Sequence, residues 1–431
     1  MRLLHVTHRF LPRYLAGTEV YAGALARAQH ERGHAVRVFT GDPALAAPEM
    51  YEWEGLRVQA TPWGIGRAGP VGTFLAGLAN PAVDGRFAAA LDDFRPDLVH
   101  IHHLLGLSPR LPALARRRGA RVVITLHDFW FQCSNTWLYR YSRMVCPGPG
   151  WGYHCGGCAL ERLGRRPQPL LMTLTAPLFL VRTARLRRAL LAAHRLIAPS
   201  RAVAEAYLAH GIPAGRLTVL PHGLATGGGA DEAPADPHPP RFLYLGSLIR
   251  PKGAHVAVEA FHGVDVPGAE LRLYGDLEAD PAYVAELRAL ARRPPVPSSP
   301  RAERAGGGAS GERGGVVFAG RLPREQVAGA LRWADVLLLP SLWREAHSIV
   351  VDEALAAGRP VLVSDHTAAA ERVIAGQNGL TAPPGDVAAW RAALVRLASE
   401  PGLLARLRHG VRAPKSLAEH VAEMETLYAG L

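Results

Sequence analysis

The sequence predicts an α/β chain of two domains, each a parallel sheet covered by helices. Three observations carry this. At 431 residues the chain exceeds what one hydrophobic core usually serves. Short apolar strands alternate with helical stretches along most of its length. The alternation breaks at ATGGGADEAPADPHPP, residues 225–240, whose Gly, Pro and acidic content cannot form a packed element, and then restarts. Domains are therefore expected over residues 1–222 and 241–412, with a closing segment over 413–431.

The elements follow in order. Residues 3–7 read as a buried strand, residues 18–32 as a helix stopped by Gly33, and residues 35–40 as the next strand, which makes a βαβ unit. Strands over 97–101 and 121–126 flank an Arg-rich helical stretch over 111–118, the pattern of a parallel sheet. Strands over 195–199 and 217–220 continue the series. The second domain opens with the strand RFLYLG at Arg241 and proceeds through 271–275, 316–319, 336–339 and 361–364. Residues 292–315, rich in Pro, Ser and Gly, read as a surface insertion. At the end Leu417, Val421, Met424 and Leu427 recur at helical spacing after the second sheet is complete, so a helix returning to the first domain is expected.

Composition narrows the function classes. Hydrophobic residues are 48% and charged residues 20%, which excludes fibrous and wholly disordered chains. Lys and Arg exceed Asp and Glu, 49 against 37, and a net charge of +12 favours anionic partners such as phosphates, acidic glycans, membrane surfaces or nucleic acid. A compositional preference for Arg on Ala- and Leu-rich helices is the plain alternative. No recognition helix or aromatic RNA platform is visible, so no nucleic-acid partner is expected. The opening MRLLHVTHRF lacks the pattern of a signal peptide, which gives a cytoplasmic expectation. The longest mostly apolar stretch, 170–181, is shorter than the roughly 20 residues of a membrane span and is interrupted by Pro177.

The most informative segment is ADVLLLPSLWREAHSIVVDEALAAGRPVLVSD. It reads as a buried strand, a loop over 340–347, a helix over 348–357 ended by Gly358, and another strand. A loop at the carboxyl end of a strand that delivers a helix N-terminus offers free N–H groups and a positive dipole end to a diphosphate. Glu345 lies in that loop and Glu353 on the helix. If chemistry were absent, Glu353 would merely favour the helix dipole and Glu345 would be solvated.

Here the chain resembles glycosyltransferase family 4, whose E-x7-E motif appears as Glu345 to Glu353 inside P-S-x-x-x-E and before E-A-L-A-A-G-R-P-V. The resemblance implies the GT-B fold, two Rossmann-like domains facing across a cleft, and a retaining transferase using a nucleotide-diphosphate sugar, a UDP- or GDP-sugar. It assigns Glu345 to the donor sugar and Glu353 to the nucleotide ribose, with Leu322, His347, Ser348 and Ile349 also at the donor. LGSLIRPKGAHVAVEAF, from Leu245, is similar to the family's turn in which Arg and Lys hold the donor phosphates. Lys252 matches the lysine; Ser247 stands where arginine is common, and Arg250 is the candidate substitute. In the first domain the loop over 8–17, ending at Gly17 before Thr18 and Glu19, resembles the family's glycine-rich loop against the diphosphate, a cap from Thr18 being the plainer reading. TLHDFW, residues 125–130, matches a T-x-H-D motif whose histidine approaches the transferred sugar, which makes His127 the second catalytic candidate beside Glu345; the alternative is a buried histidine satisfied at the sheet edge. The implied mechanism rests on positioning and charge stabilisation. No Asp-x-Asp motif is placed to hold a divalent ion, so no catalytic cofactor is expected. Glycan, lipid-linked or small-molecule acceptors fit. A catalytically silent nucleotide-sugar-binding or scaffold protein of the same fold is the alternative function, because Ser247 and the lone Gly17 depart from the pattern.

Three further signals remain. Gly64, Gly66 and Gly69 spell G-x-G-x-x-G, but outside the opening βαβ unit and directly before Pro70, so a dinucleotide site is not expected. All four cysteines, Cys133, Cys146, Cys155 and Cys158, fall in one Gly-rich stretch read as a loop, the last two as C-x-x-C; a structural zinc site, reduced packed thiols and disulfides are the three readings. Residues 170–188 join apolar positions to Arg182, Arg185, Arg187 and Arg188, which suits either an ordinary amphipathic helix or peripheral contact at the inner face of a membrane.

Overall fold

The structure is a computed structural model and describes residues 1–63, 69–225, 238–293 and 315–431. The chain divides into two compact units, Met1–Ala225 with Lys415–Leu431, and Thr226–Pro414.

In the first unit the described strands are β1 (Arg2–Thr7), β2 (Ala35–Asp42), β3 (Glu49–Trp53), β4 (Leu56–Pro62), β5 (Leu98–Ile101), β6 (Arg121–Thr125), β7 (Arg195–Ala198) and β8 (Leu217–Val219). They form one sheet in the order β3-β4-β2-β1-β5-β6-β7-β8, parallel except where β3 pairs antiparallel with β4. The helices are α1 (Gly17–Glu31), α2 (Pro70–Ala76), α3 (Pro81–Phe94), α4 (Leu111–Arg117), α5 (Tyr153–Arg162), α6 (Pro169–Ala192) and α7 (Arg201–Leu208). The central strand β5, LVHI, is buried at every residue, because helices cover both faces of such a sheet.

The second unit holds β9 (Arg241–Leu245), β10 (Glu270–Tyr274), β11 (Val316–Gly320), β12 (Val336–Leu339), β13 (Val361–Ser364) and β14 (Gly379–Ala382) in the parallel order β11-β10-β9-β12-β13-β14. Its helices are α8 (Ala254–Phe261), α9 (Pro281–Ala291), α10 (Val327–Trp333), α11 (Ile349–Ala356), α12 (Val387–Ser399) and α13 (Leu403–Gly410). Trp390, Phe242 and Leu271 anchor the core on one side of this sheet, and Leu337, Val351 and Val363 the core on the other.

The last helix, α14 (Leu417–Ala429), belongs to the first unit. Ser416 caps it through a capping box with Glu419. The backbones of Leu224 and of residues 415–417 exchange hydrogen bonds of 2.9 and 2.8 Å. Val421, Met424 and Tyr428 are buried against Leu3, Leu25 and Val36, which fulfils the helical spacing read from the sequence.

Three readings need correction. Ala16 occupies the N-cap of α1 without any side-chain cap, so Thr18 does not cap that helix. Pro177 lies inside α6, which continues through it over 24 residues. The cysteine stretch is not all loop: α5 carries Cys155 and Cys158. Its Gly156 and Gly157 serve close packing, since a Cβ would come within 2.5 Å of Thr175 Oγ1 and 2.4 Å of the Tyr141 ring. Of the G-x-G-x-x-G string, Gly64 and Gly66 lie outside the described residues and Gly69 caps α2. Most of the expected linker (226–237) and insertion (294–314) also lies outside them. No described helix is long and apolar enough to cross a membrane.

Candidate functional site

In the second unit β9 and β12 are parallel neighbours, so the turn after β9 and the loop after β12 emerge at the same sheet edge. The two are tied by Leu342 N–H donating to Pro251 O at 2.8 Å. Gly253 sits at φ +73°, and a Cβ there would fall 1.8 Å from Pro340 O, so only glycine lets the turn carrying Lys252 lie against the loop carrying Glu345. The result is a direct ion pair, Lys252 Nζ to Glu345 Oε1 at 2.8 Å, with the lysine partly exposed and the carboxylate buried. The Ser341 hydroxyl donates to the same oxygen. Glu345 O accepts from Ala368 N–H at 3.1 Å, which pins the loop to the segment after β13. Lys252 Nζ also stands 5.3 Å from the centre of the Trp343 ring. A buried carboxylate needs such partners, because leaving it unpaired costs several kcal/mol, on the order of 3–5. The reading of Glu345 as a solvated loop residue is thereby excluded.

Ser348 stands at the N-cap of α11 in extended conformation with no side-chain cap, and Ile349 is the first helical residue. The amides of this end are open to an anion. Glu353 falls past the first turn, so the helix-dipole reading does not apply to it; Asp352 holds the first-turn position. Burial raises the Glu353 carboxyl above its ordinary range, and the Arg324 guanidinium in ion-pair contact with it opposes that shift. Glu353 Oε1 nevertheless has no aligned hydrogen bond. Behind the loop His347 pairs with Asp352 at 2.9 Å, and Arg372 reaches both, Asp352 at 2.7 Å and His347 Nδ1 at 2.9 Å. Burial lowers the His347 pKa, with Asp352 working against it. Ser247 is exposed, Leu322 packs half-buried on the core beside Leu245 and Tyr274, and Arg250 pairs with Glu286 and lies 5.2 Å over the Tyr283 ring.

In the first unit β1, β5 and β6 are parallel neighbours, and the residues after each form a polar cluster at one edge. His127 Nε2 meets His102 Nδ1 at 3.2 Å, so the histidine of T-x-H-D joins a hydrogen-bonded chain of rings. Asp128 pairs with His103 at 3.1 Å and accepts from Trp130 N–H at 2.8 Å. The His103 ring lies 4.3 Å from that of His8, and His8 Nε2 is 3.5 Å from Glu19 Oε1. Burial raises the Glu19 carboxyl, and burial followed by neighbouring positive groups lowers His8 well below its ordinary value. Gly17 begins α1 at this cluster, exposed and beside an uncapped helix end. Sequence reasoning did not single out His102, His103, Ser341, Asp352, Arg324 or Arg372. A signal existed for two of them: His102 and His103 directly follow the strand LVHI, the position that T-x-H-D occupies after its own strand.

The four cysteines are free and line one cavity of about 10 Å³ together with His154, roughly the room of one water-sized sphere. Burial first, then the neighbouring cysteines, pushes Cys155 up to about 12 and Cys158 up to about 11. No three of these sulfurs lie within 4.8 Å of one another, and the thiols of Cys146 and Cys155 donate to Gly148 O and Pro149 O at 3.2 and 3.8 Å. The fold gathers the thiols without closing them into a tetrahedron.

Comparison with known proteins shows the family and the fold. Residues 15–227 match the model of Glycosyltransferase Family 4 and residues 239–400 that of Glycosyl transferases group 1. Glycogen synthase of Mycobacterium tuberculosis (strain H37Rv) is 26% identical, with 96% of this chain and 89% of that protein aligned. Among solved structures, sucrose-phosphate synthase from Thermosynechococcus elongatus superposes with a TM-score of 0.68 at 21% identity, over 100% of this chain and 98% of that one. Anabaena Alr3699/HepE in complex with UDP and glucose gives 0.65 at 16% identity, over the whole of both chains. The chain belongs to the family 4 glycosyltransferases and has their GT-B fold.

Proposed function

We propose that this glycosyltransferase takes its sugar from a nucleotide diphosphate, retains the configuration at the transferred carbon, and uses Lys252 in place of a metal ion at the diphosphate. The observation that carries this reading is the Lys252–Glu345 pair at 2.8 Å, set beside the uncapped amino end of α11. A diphosphate brought to that end meets one cation and several free amides, the arrangement that stabilises a departing anionic group. Lys252 then exchanges a carboxylate partner for phosphate, and Glu345, still held by Ser341, is released toward the sugar. Glu353 accepts from the ribose. We assign His127 to a hydroxyl of the transferred sugar. The protein's own contribution is orientation and charge stabilisation, with the leaving phosphate taking the acceptor proton. That Alr3699/HepE was captured with UDP and with UDP-glucose supports a nucleotide-sugar donor for this chain.

The test is a panel of nucleotides and nucleotide sugars titrated by calorimetry, followed by transfer assays with the donor that binds and determination of the product anomer. Saturable binding of a nucleoside diphosphate that Lys252→Met weakens, and a product with the donor's anomeric configuration, are the expected results. An inverted product or donor binding indifferent to Lys252 overturns the reading.

A further inference from the structure

A cavity of about 470 Å³ opens in the first unit beside α2, α5 and α6. Its walls are Trp63, Phe74, Trp130, Leu160, Leu178 and Phe179, with Ala159 on the α5 side. The volume falls in the range of small-molecule sites, which are lined mostly by apolar groups with a few polar ones that fix orientation. Here the polar group is Arg182. It is 3% exposed, donates to Trp130 O at 2.8 Å and lies 5.0 Å over the Trp130 ring, yet no carboxylate of the described residues lies within 4.0 Å. Burial pushes it down to about 10. The leading groups whose negative charge would favour the guanidinium are Cys133 and Cys155, and burial keeps both as neutral thiols in the metal-free chain; a guanidinium so buried is costly, and an anionic ligand removes that cost.

The surface beside the cavity has matching chemistry. Leu170, Leu174, Leu178 and Val181 follow one another at i, i+4, i+8 and i+11 on α6 and are 70%, 65%, 51% and 45% exposed. This spacing places them on one face. The other face of α6 buries Met172, Phe179 and Leu186, so the part of the helix before Arg182 is apolar on its open face as well as its buried one, a state soluble helices avoid. Leu178 belongs to both the stripe and the cavity wall, so apolar surface runs from the cavity outward. Arg162 lies on the cavity wall too. Apolar surface leading to a buried cation fits a hydrophobic chain that carries an anion.

We infer that this cavity binds an alkyl or prenyl chain bearing a phosphate, with Arg182 against the phosphate, and that such a lipid phosphate is the acceptor: a phosphate oxygen bonds to the anomeric carbon as that carbon's bond to the donor diphosphate breaks, and the nucleoside diphosphate leaves with the acceptor's proton. The acceptor role rests on the glycosyltransferase reading; the binding does not. The experiment titrates the full chain, below micelle-forming concentrations, with dodecyl phosphate, the uncharged dodecyl maltoside and inorganic phosphate, following Trp63 and Trp130 fluorescence and calorimetry. Dodecyl phosphate is expected to bind at one site per chain at least tenfold tighter than dodecyl maltoside, and inorganic phosphate at least a hundredfold more weakly. Arg182→Met should remove the preference for the charged amphiphile. Ala159→Phe, which fills the cavity from a half-buried position, should weaken both amphiphiles at least tenfold while leaving nucleotide affinity unchanged. Equal affinity for the two amphiphiles, binding of phosphate without the chain, or indifference to Ala159→Phe overturns the proposal. Loss of nucleotide binding by the parent chain would instead overturn the donor assignment in the second unit.

Discussion

Replacing Lys252 with Met tests the donor site most sharply, because the structure fixes what is lost and what is left behind. The substitution keeps the length and apolar stem of the side chain but removes the ammonium that sits 2.8 Å from Glu345 Oε1. A charge-assisted contact to the diphosphate contributes about 1.5–3 kcal/mol, which corresponds to a nucleotide dissociation constant raised roughly 10- to 140-fold. A second penalty follows from the buried Glu345 carboxylate, which would then face the incoming diphosphate with only Ser341 as a partner. Glu345→Gln in the Lys252→Met background removes that repulsion, so the double variant should bind nucleotide more tightly than the single one, by several-fold. In the parent background Glu345→Gln should leave nucleotide binding nearly intact and damage transfer. Calorimetry with the preferred nucleoside diphosphate reads all four corners of this cycle. An unchanged affinity in Lys252→Met removes that lysine from the site. A double variant weaker than the single one refutes the exchange of partners.

Three other outcomes are expected. Glu353→Gln should weaken free nucleotide and donor alike by about 1.5–3 kcal/mol if the carboxylate accepts from the ribose; a loss confined to turnover would reassign it. Protein purified without chelators should carry one zinc per chain, since neighbouring thiolates at Cys133, Cys146, Cys155 and Cys158 ionise together only around a cation; elemental analysis finding none in reduced protein decides against it. Stability should fall as pH drops from about 6.5 to about 4: burial holds His5 at about 4 and lowers His8, His100 and His102, so the unfolded chain takes up protons that the folded chain refuses, at up to about 1.4 kcal/mol per pH unit for each histidine. The raised carboxyls Glu19 and Glu353 act in the opposite sense; thermal melts across this range that do not shift, or that rise on acidification, refute the neutral-histidine reading.

Several strands were legible because burial on both faces turns them into short apolar runs, such as LLHV in β1 and VLLL in β12. The strand EMYEW, β3, escaped because it is an edge, exposed on alternate residues and paired on one side only. GLTA, β14, is too short to show any period. In the cysteine stretch, glycines read as loop residues turn out to press α5 onto α6 and Tyr141, a long-range cause that leaves no local mark. The site divides in the same way. Glu345, Glu353 and Lys252 could be named because a motif ties each to a strand end, and Gly253 reads as a turn residue. Arg372 and Asp352 had no such signal; their role arises when loops from β12 and β13 meet, and neither a charge on a helix nor an arginine in a loop announces that meeting.

The histidines of the first unit show how far that dependence on tertiary structure reaches. The ring nitrogens of His5, His100 and His102 approach within 4.8 Å, a spacing a metal ion could use, but each of the six already has a partner. The partners set a direction. Gln29 Nε2 donates to the Tyr428 hydroxyl at 3.4 Å, so its Oε1 accepts the His5 Nε2–H at 2.8 Å. His5 Nδ1 must then accept from His102 Nε2–H at 2.9 Å, and His102 Nδ1 from His127 Nε2–H at 3.2 Å. On the other branch Tyr428 donates to His100 Nδ1 at 2.7 Å, and His100 Nε2–H donates to Thr125 at 2.8 Å. A further proton on His5 or His102 would set two N–H groups face to face, and burial already disfavours the charge there. Gln29 on α1 and Tyr428 on α14 thus set the hydrogen-bond direction that reaches His127 Nε2. The C-terminal helix anchors this chain of rings as well as covering the core.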